Sequence, residues 1–122
     1  MDVRETLVVR ERYDDIVDAI CAWHEEARAS KLFSMPCVKR AGKFVFGLSR
    51  TGMVFKLTDP EVHGRALALP GAHVFDPSGR GQPFRQWVVV PPAQAGEWEA
   101  LAYDALGQDH SVPPEALGGG KT

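Results

Sequence analysis

A chain of 122 residues, 44% apolar and with a net charge of −2, is the size of one domain that buries a real hydrophobic core. Its 14 Lys and Arg against 16 Asp and Glu exclude the basic excess of a dedicated nucleic-acid binder, while leaving room for a local basic patch. The charged start, MDVRETLVVRERYDD, lacks the apolar core of a signal peptide, and no run approaches the ~20 apolar residues that span a bilayer. A cytoplasmic protein without membrane contact is therefore the expectation.

In chain order, residues 12–29 read as a helix. Tyr13, Ile16, Val17, Ile20, Trp23 and Ala27 recur at steps of three and four and share one face. Residues 3–9 fit either a short strand or an extension of that helix. Ser34, Met35 and Pro36 then break the pattern. Three strands follow, Cys37–Arg40, Lys43–Ser49 and Met53–Leu57. They are joined by Ala41-Gly42 and Arg50-Thr51-Gly52, and loops this short favour an antiparallel meander. Strict alternation places Phe44, Phe46 and Leu48 on one face of the middle strand.

Thr58-Asp59-Pro60-Glu61 opens a second helix. Thr58 or Asp59 serves as cap, and Glu61 sits at capping-box distance from Thr58. Pro70-Gly71 ends it. Strands Ala72–Phe75 and Phe84–Val90 flank the turn Asp76-Pro77-Ser78-Gly79, and a last helix spans Gln94–Leu106. The expected order is α-β-β-β-α-β-β-α, a two-layer α+β sandwich with helices on one sheet face and the other face open to solvent or a partner. The domain covers residues 1–106. Residues 107–122, with paired prolines and the closing Gly-Gly-Gly-Lys-Thr, read as a flexible tail.

Ser34 to Leu106 resembles the amino-terminal domain of the TfoX/Sxy family and the related YjbR/MmcQ-type small domains. The resemblance is carried by Met35-Pro36-Cys37-Val38-Lys39, Gly42-Lys43, Gly52-Met53-Val54-Phe55-Lys56-Leu57, Phe75-Asp76-Pro77, Gly79-Arg80-Gly81 and Trp87-Val88-Val89-Val90-Pro91. It implies a curved antiparallel sheet packed by helices. In the family's competence regulators a second, helical domain follows. Here residues 107–122 read as a short tail in that place, so the regulator's function is not expected to carry over whole. The YjbR type is often labelled DNA-binding. No catalytic residue comes with the resemblance.

The residues themselves offer binding surfaces rather than chemistry. Arg80 and Arg85 flank a glycine-rich turn whose backbone N–H groups suit a small anion, or the turn is tied by an ion pair such as Arg80–Asp76, or an arginine stacks over an aromatic ring. Lys39, Lys43 and Lys56 sit on neighbouring strands and, with Arg80 and Arg85, are the residues through which DNA binding is expected if it occurs. The same charges equally suit a solvated face or a guarded edge. Trp87 suits the edge of the core or a partner contact, whereas Trp23 and Trp98 fall on helix apolar faces and read as core.

Cys21 and Cys37 match neither a redox CxxC nor a zinc pair and read as buried thiols. Cys21 and His24 form one i, i+3 pair that needs two more ligands to hold zinc. His63, His73 and His110 are dispersed. The closing Gly118–Thr122 imitates a phosphate loop, but Glu115 stands where the first glycine belongs. The expectation is a non-enzymatic, cofactor-free domain that works through protein contacts, as a homodimer and in a regulatory role. DNA binding and anion binding near residues 75–85 are the alternatives.

Overall fold

The computed structural model describes residues 3–81 and 83–108. Among them run α1 (Val3–Trp23), β1 (Ala27–Leu32), β2 (Met35–Arg40), β3 (Lys43–Ser49), β4 (Gly52–Lys56), α2 (Pro60–Leu67), β5 (His73–Phe75), β6 (Phe84–Val90) and α3 (Trp98–Gln108). The six strands form one antiparallel sheet in the order β1-β2-β3-β4-β6-β5. The α+β class and the helix-strand alternation are those expected, with one strand more in the first block. No helix among the described residues is long and apolar enough to cross a membrane. The tail lies outside the described residues from position 109 on, while Gly107 and Gln108 belong to α3.

Several boundaries differ from the sequence reading for identifiable reasons. Residues 3–9 are helical, so α1 starts early; it also ends early, at Trp23. Residues 27–29 leave the helix and open β1, whose Ala27 is buried against the core. Trp23, the last residue of α1, is not core but 82% exposed, one turn beyond the fully buried Ile20 of the same face. Asp59, not Thr58, caps α2 by accepting from the Glu61 amide at 2.9 Å, which puts Glu61 one position short of a capping box. The last helix is split. A 3-10 turn spans Pro92–Glu97, with Gln94 outside helical geometry, before α3 begins at Trp98.

A bulge decides which aromatic rings share a face. The β2–β3 register pairs Val38 with Phe46 but Lys39 with Phe44, so Val45 is the extra residue. Phe44 therefore lies opposite to Phe46, correcting the expectation that the two share a face with Leu48. On the helix side, Tyr13, Ile16 and Ile20 of α1 and Trp98, Leu101 and Ala102 of α3 pack on Val38, Phe46, Phe55 and Val88. Trp98 is fully buried and its indole Nε1–H donates to the Val90 carbonyl at 3.0 Å, so no polar atom of the ring is stranded.

Arg40, 7% exposed, reaches the same layer from β2. Its Nη1 donates to the Leu106 carbonyl at 3.1 Å, and Nη2 lies 3.5 Å from Glu26 Oε2. A guanidinium at the last turn of α3 satisfies a carbonyl that has no partner within the helix, and it complements the helix dipole.

Candidate functional site

The sheet face turned away from the helices carries its own apolar cluster. Met35, Cys37, Phe44, Val54 and Val89 are buried there, with Leu32, Phe75 and Trp87 half-buried against them. Phe44 stacks on Trp87 with ring centroids 4.0 Å apart and planes 8° from parallel. Phe75 is also parallel to the indole, at 6.0 Å, and Phe84 meets its edge at 4.8 Å. Strand β6, which carries Trp87, lies between β5 with Phe75 and β4–β3 with Phe44. The rings thus form a row along the sheet, and the indole is held between two parallel neighbours.

Phe33 closes this row from the far end of the sheet. It sits in the two-residue turn between β1 and β2, 6.3 Å from Phe75 and 5.8 Å from Phe84. Flat strands stand ~4.8 Å apart, so β2 and β5 would be four spacings, ~19 Å, from one another. Ring contact across that span requires the sheet to curl toward this face. The turn itself is costly. Phe33 and Ser34 have φ of 53° and 63°, the left-handed values of a type I′ turn. Asn-Gly is the preferred sequence there, and a bulky side chain is uncommon. Phe33 remains 52% exposed and Phe84 37%. Beside them opens a cleft of about 780 Å³, lined by Phe33, Met35, Arg50, His73, Phe75 and Asp76 among others.

The register sorts the basic residues. Lys39 pairs with Phe44 and Lys56 with Trp87, so both rise from the aromatic face. Arg28, which the sequence reading did not single out, pairs with Lys39 and joins them. Lys43 does not. It pairs with Arg40, whose guanidinium reaches α3, so Lys43 starts on the helix side. Arg80 is exposed in the 76–81 turn, and Arg85 is exposed on β6, its carbonyl bonded to His63 Nε2 at 2.7 Å. The six sequence candidates therefore divide. Lys39, Lys56 and Trp87 come together, while Lys43, Arg80 and Arg85 are not shown to join them.

The 76–81 turn is already filled by its own carboxylate. The Gly79 amide donates to Asp76 Oδ1 at 3.0 Å and the Gly81 amide to Asp76 Oδ2 at 2.9 Å; the Ser78 hydroxyl donates to Oδ1 at 3.0 Å. The Arg80 amide donates to the Ser78 hydroxyl at 3.2 Å. Desolvation raises the Asp76 carboxyl, but the bonds from Ser78, Gly81 and Gly79 outweigh it and hold it below the usual aspartate range. Amides that bind Asp76 do not bind an external anion, which removes the main support for an anion site here. The turn is anchored by amide-to-carboxylate bonds rather than by the expected Arg80–Asp76 pair.

Burial raises the thiols of Cys21, helped by Asp18, and of Cys37, where Lys39 opposes it. Among the described residues no three His, Cys, Asp or Glu side chains converge as metal ligands. No protein-family model, no curated protein and no solved structure matches the chain.

Proposed function

We propose that this chain is a non-enzymatic binding domain that docks protein through the helix-free sheet face, and that its first partner is a second copy of itself. The observation that carries the reading is the row of five rings, Phe33, Phe44, Phe75, Phe84 and Trp87, on a face that no helix among the described residues covers. Phe33 and Phe84 stay exposed at its end although one of them occupies a strained turn position. Apolar rings clustered at a surface and rimmed by arginine and lysine are the usual composition of a protein-binding hot spot. Two-fold pairing is the commonest oligomer and sets the same patch on itself. The resemblance to the TfoX/Sxy amino-terminal domain belongs to this reading, and with it a regulatory role in the cytoplasm.

Light scattering at high micromolar concentration tests it. A dimer that becomes monomeric in a Phe33→Ser, Phe84→Ser double variant is the expected result. A wild-type monomer under those conditions refutes the self-pairing, and a dimer that survives the substitutions refutes the docking face.

A second reading is DNA binding, favoured by Arg28, Lys39 and Lys56 on one face beside the rings. Against base stacking, Trp87 already has a parallel ring neighbour in Phe44 and another in Phe75. Amide spectra recorded with short duplex DNA distinguish the two. Shifts centred on Lys39 and Lys56 that persist at physiological salt, and vanish on reversing both charges, would favour DNA. Shifts seen only at low salt are the signature of non-specific attraction.

A further inference from the structure

The geometry points to β1 as a docking edge for an extended acidic segment of a partner protein, added to the sheet as a seventh strand. β1 ends the sheet and pairs with β2 over all six of its residues without a bulge. The loop between them has two residues, Phe33 and Ser34, which makes Leu32 and Met35 the hydrogen-bonded closing pair. Alternation then turns the N–H and C=O of Ser30 and Arg28 toward β2. It leaves those of Ala29 and Lys31 on the outer edge. Pro36 fits the same alternation. Opposite Lys31, its nitrogen points away from β1 toward β3, and the β2–β3 ladder begins only at the next residue, Cys37.

The side chains of such an added strand would alternate between the two sides of the sheet, and each side offers a cleft at this edge. One, of about 370 Å³ on the helix side, is lined by Arg10, Tyr13, Ala29, Ser30 and Lys31 among others. The other, of about 460 Å³ on the open side, is lined by Arg28, Ala29, Ser30, Lys39 and Gly42 among others. Ala29 and Ser30 border both.

The charge at this edge is basic. Among the described residues, Arg28, Lys31 and Lys39 share these clefts with two carboxylates, Asp14, which pairs with Arg10 at 3.1 Å, and Glu26, which also lies 3.5 Å from Arg40, so cations outnumber carboxylates. Positive side chains are a common guard against edge-to-edge self-pairing, since a second copy would bring its own Arg28 and Lys31 to the same edge. An acidic strand meets the opposite condition: the guard that repels a copy attracts it.

The test uses the full chain and two synthetic probes, a capped peptide of alternating Glu and Val and its Lys and Val counterpart. With the acidic probe at millimolar concentration, residues 27–32 should shift in amide spectra, and the Ala29 and Lys31 amides should exchange several-fold more slowly. The basic probe should do neither. Ala29→Pro removes the outward N–H without touching the bonds to β2, so thermal unfolding should be preserved while the response to the acidic probe is lost. The proposal is overturned if the acidic probe leaves the Ala29 and Lys31 amides unprotected, or if the basic probe protects them equally. It is also overturned if they become protected without any probe as protein concentration rises, which would make the edge a self-pairing one. Self-association through Phe33 and Phe84 should be untouched by Ala29→Pro, so the two surfaces fail or succeed separately.

Discussion

Replacing Phe33 by asparagine separates a residue kept for docking from one kept for folding. At φ 53° a side chain with a Cβ sits in the left-handed region at a cost of about 1 kcal/mol. Asparagine is several-fold enriched in that region, so the substitution recovers much of this. Against it stands lost burial. Phe33 is 52% exposed, so roughly half of the ~2 kcal/mol for burying a phenylalanine is realised, about 1 kcal/mol. Contacts with Phe75 and Phe84 add about 0.5 kcal/mol. The net change in monomer stability is thus a loss of under about 1 kcal/mol, a shift of no more than about 4 °C in melting temperature. Thermal unfolding by circular dichroism reads that quantity, and light scattering on the same sample reads association. The expected outcome is a nearly unchanged melt with loss of the dimer. A loss above ~3 kcal/mol would mean that the ring is core after all, and an intact dimer would mean that it is not a contact.

Other perturbations probe the frame that holds this face. Gly52→Ala should destabilise by about 3 kcal/mol or more in denaturant unfolding, because at φ +152° a Cβ would lie 2.2 Å from the Val90 carbonyl oxygen, which is fixed by the β4–β6 ladder. Stability should fall above the unfolded-chain tyrosine value of ~10. Desolvation, reinforced by Cys37 and Asp14, raises the Tyr13 phenol in the folded state, so its contribution is complete below the unfolded value and drains as pH climbs toward the folded one. The Cys21 and Cys37 thiols, also raised, should begin the decline near ~8.5, and Tyr13→Phe should remove the tyrosine part of the alkaline loss in urea titrations at a series of pH values. Acrylamide quenching of single-tryptophan variants should rank Trp23 first, Trp87 next and Trp98 last, in the order of their exposure.

Much of the fold was legible in local pattern. Phe84–Val90 reads as a strand from its apolar run and its bounding prolines, and the structure has the same bounds. Lys43–Ser49 is likewise set by the glycine-bearing turns on either side. β1 was not legible. Ala-Arg-Ala-Ser-Lys-Leu has no aromatic or β-branched residue, and its spacing continues the preceding helix, so only pairing with β2 makes it a strand. Trp23 misled for a related reason. Helical periodicity assigns a face to a residue, but not whether the partner layer extends far enough to cover it.

The candidate surface was legible only in its parts. Lys39, Lys56 and Trp87 are visible as residue types in the sequence, yet their common face follows from two cross-strand pairings and one bulge. Without the extra residue at Val45, Phe44 would stand beside Phe46 under the helices and the ring row would lose the partner that stacks on the indole. Phe33 reaches Phe75 only because the sheet curls, a property no stretch of chain carries alone.

By itself the sequence determined the class of fold, the β2–β3–β4 hairpins and the capped second helix, because turn chemistry and periodicity act over a few residues. The tertiary structure decided which residues meet across the sheet, that Asp76 fills the turn offered to an anion, and that an arginine-bearing segment becomes the free edge. Those outcomes depend on register and on long-range pairing, and their energy resides in contacts between residues far apart in the chain.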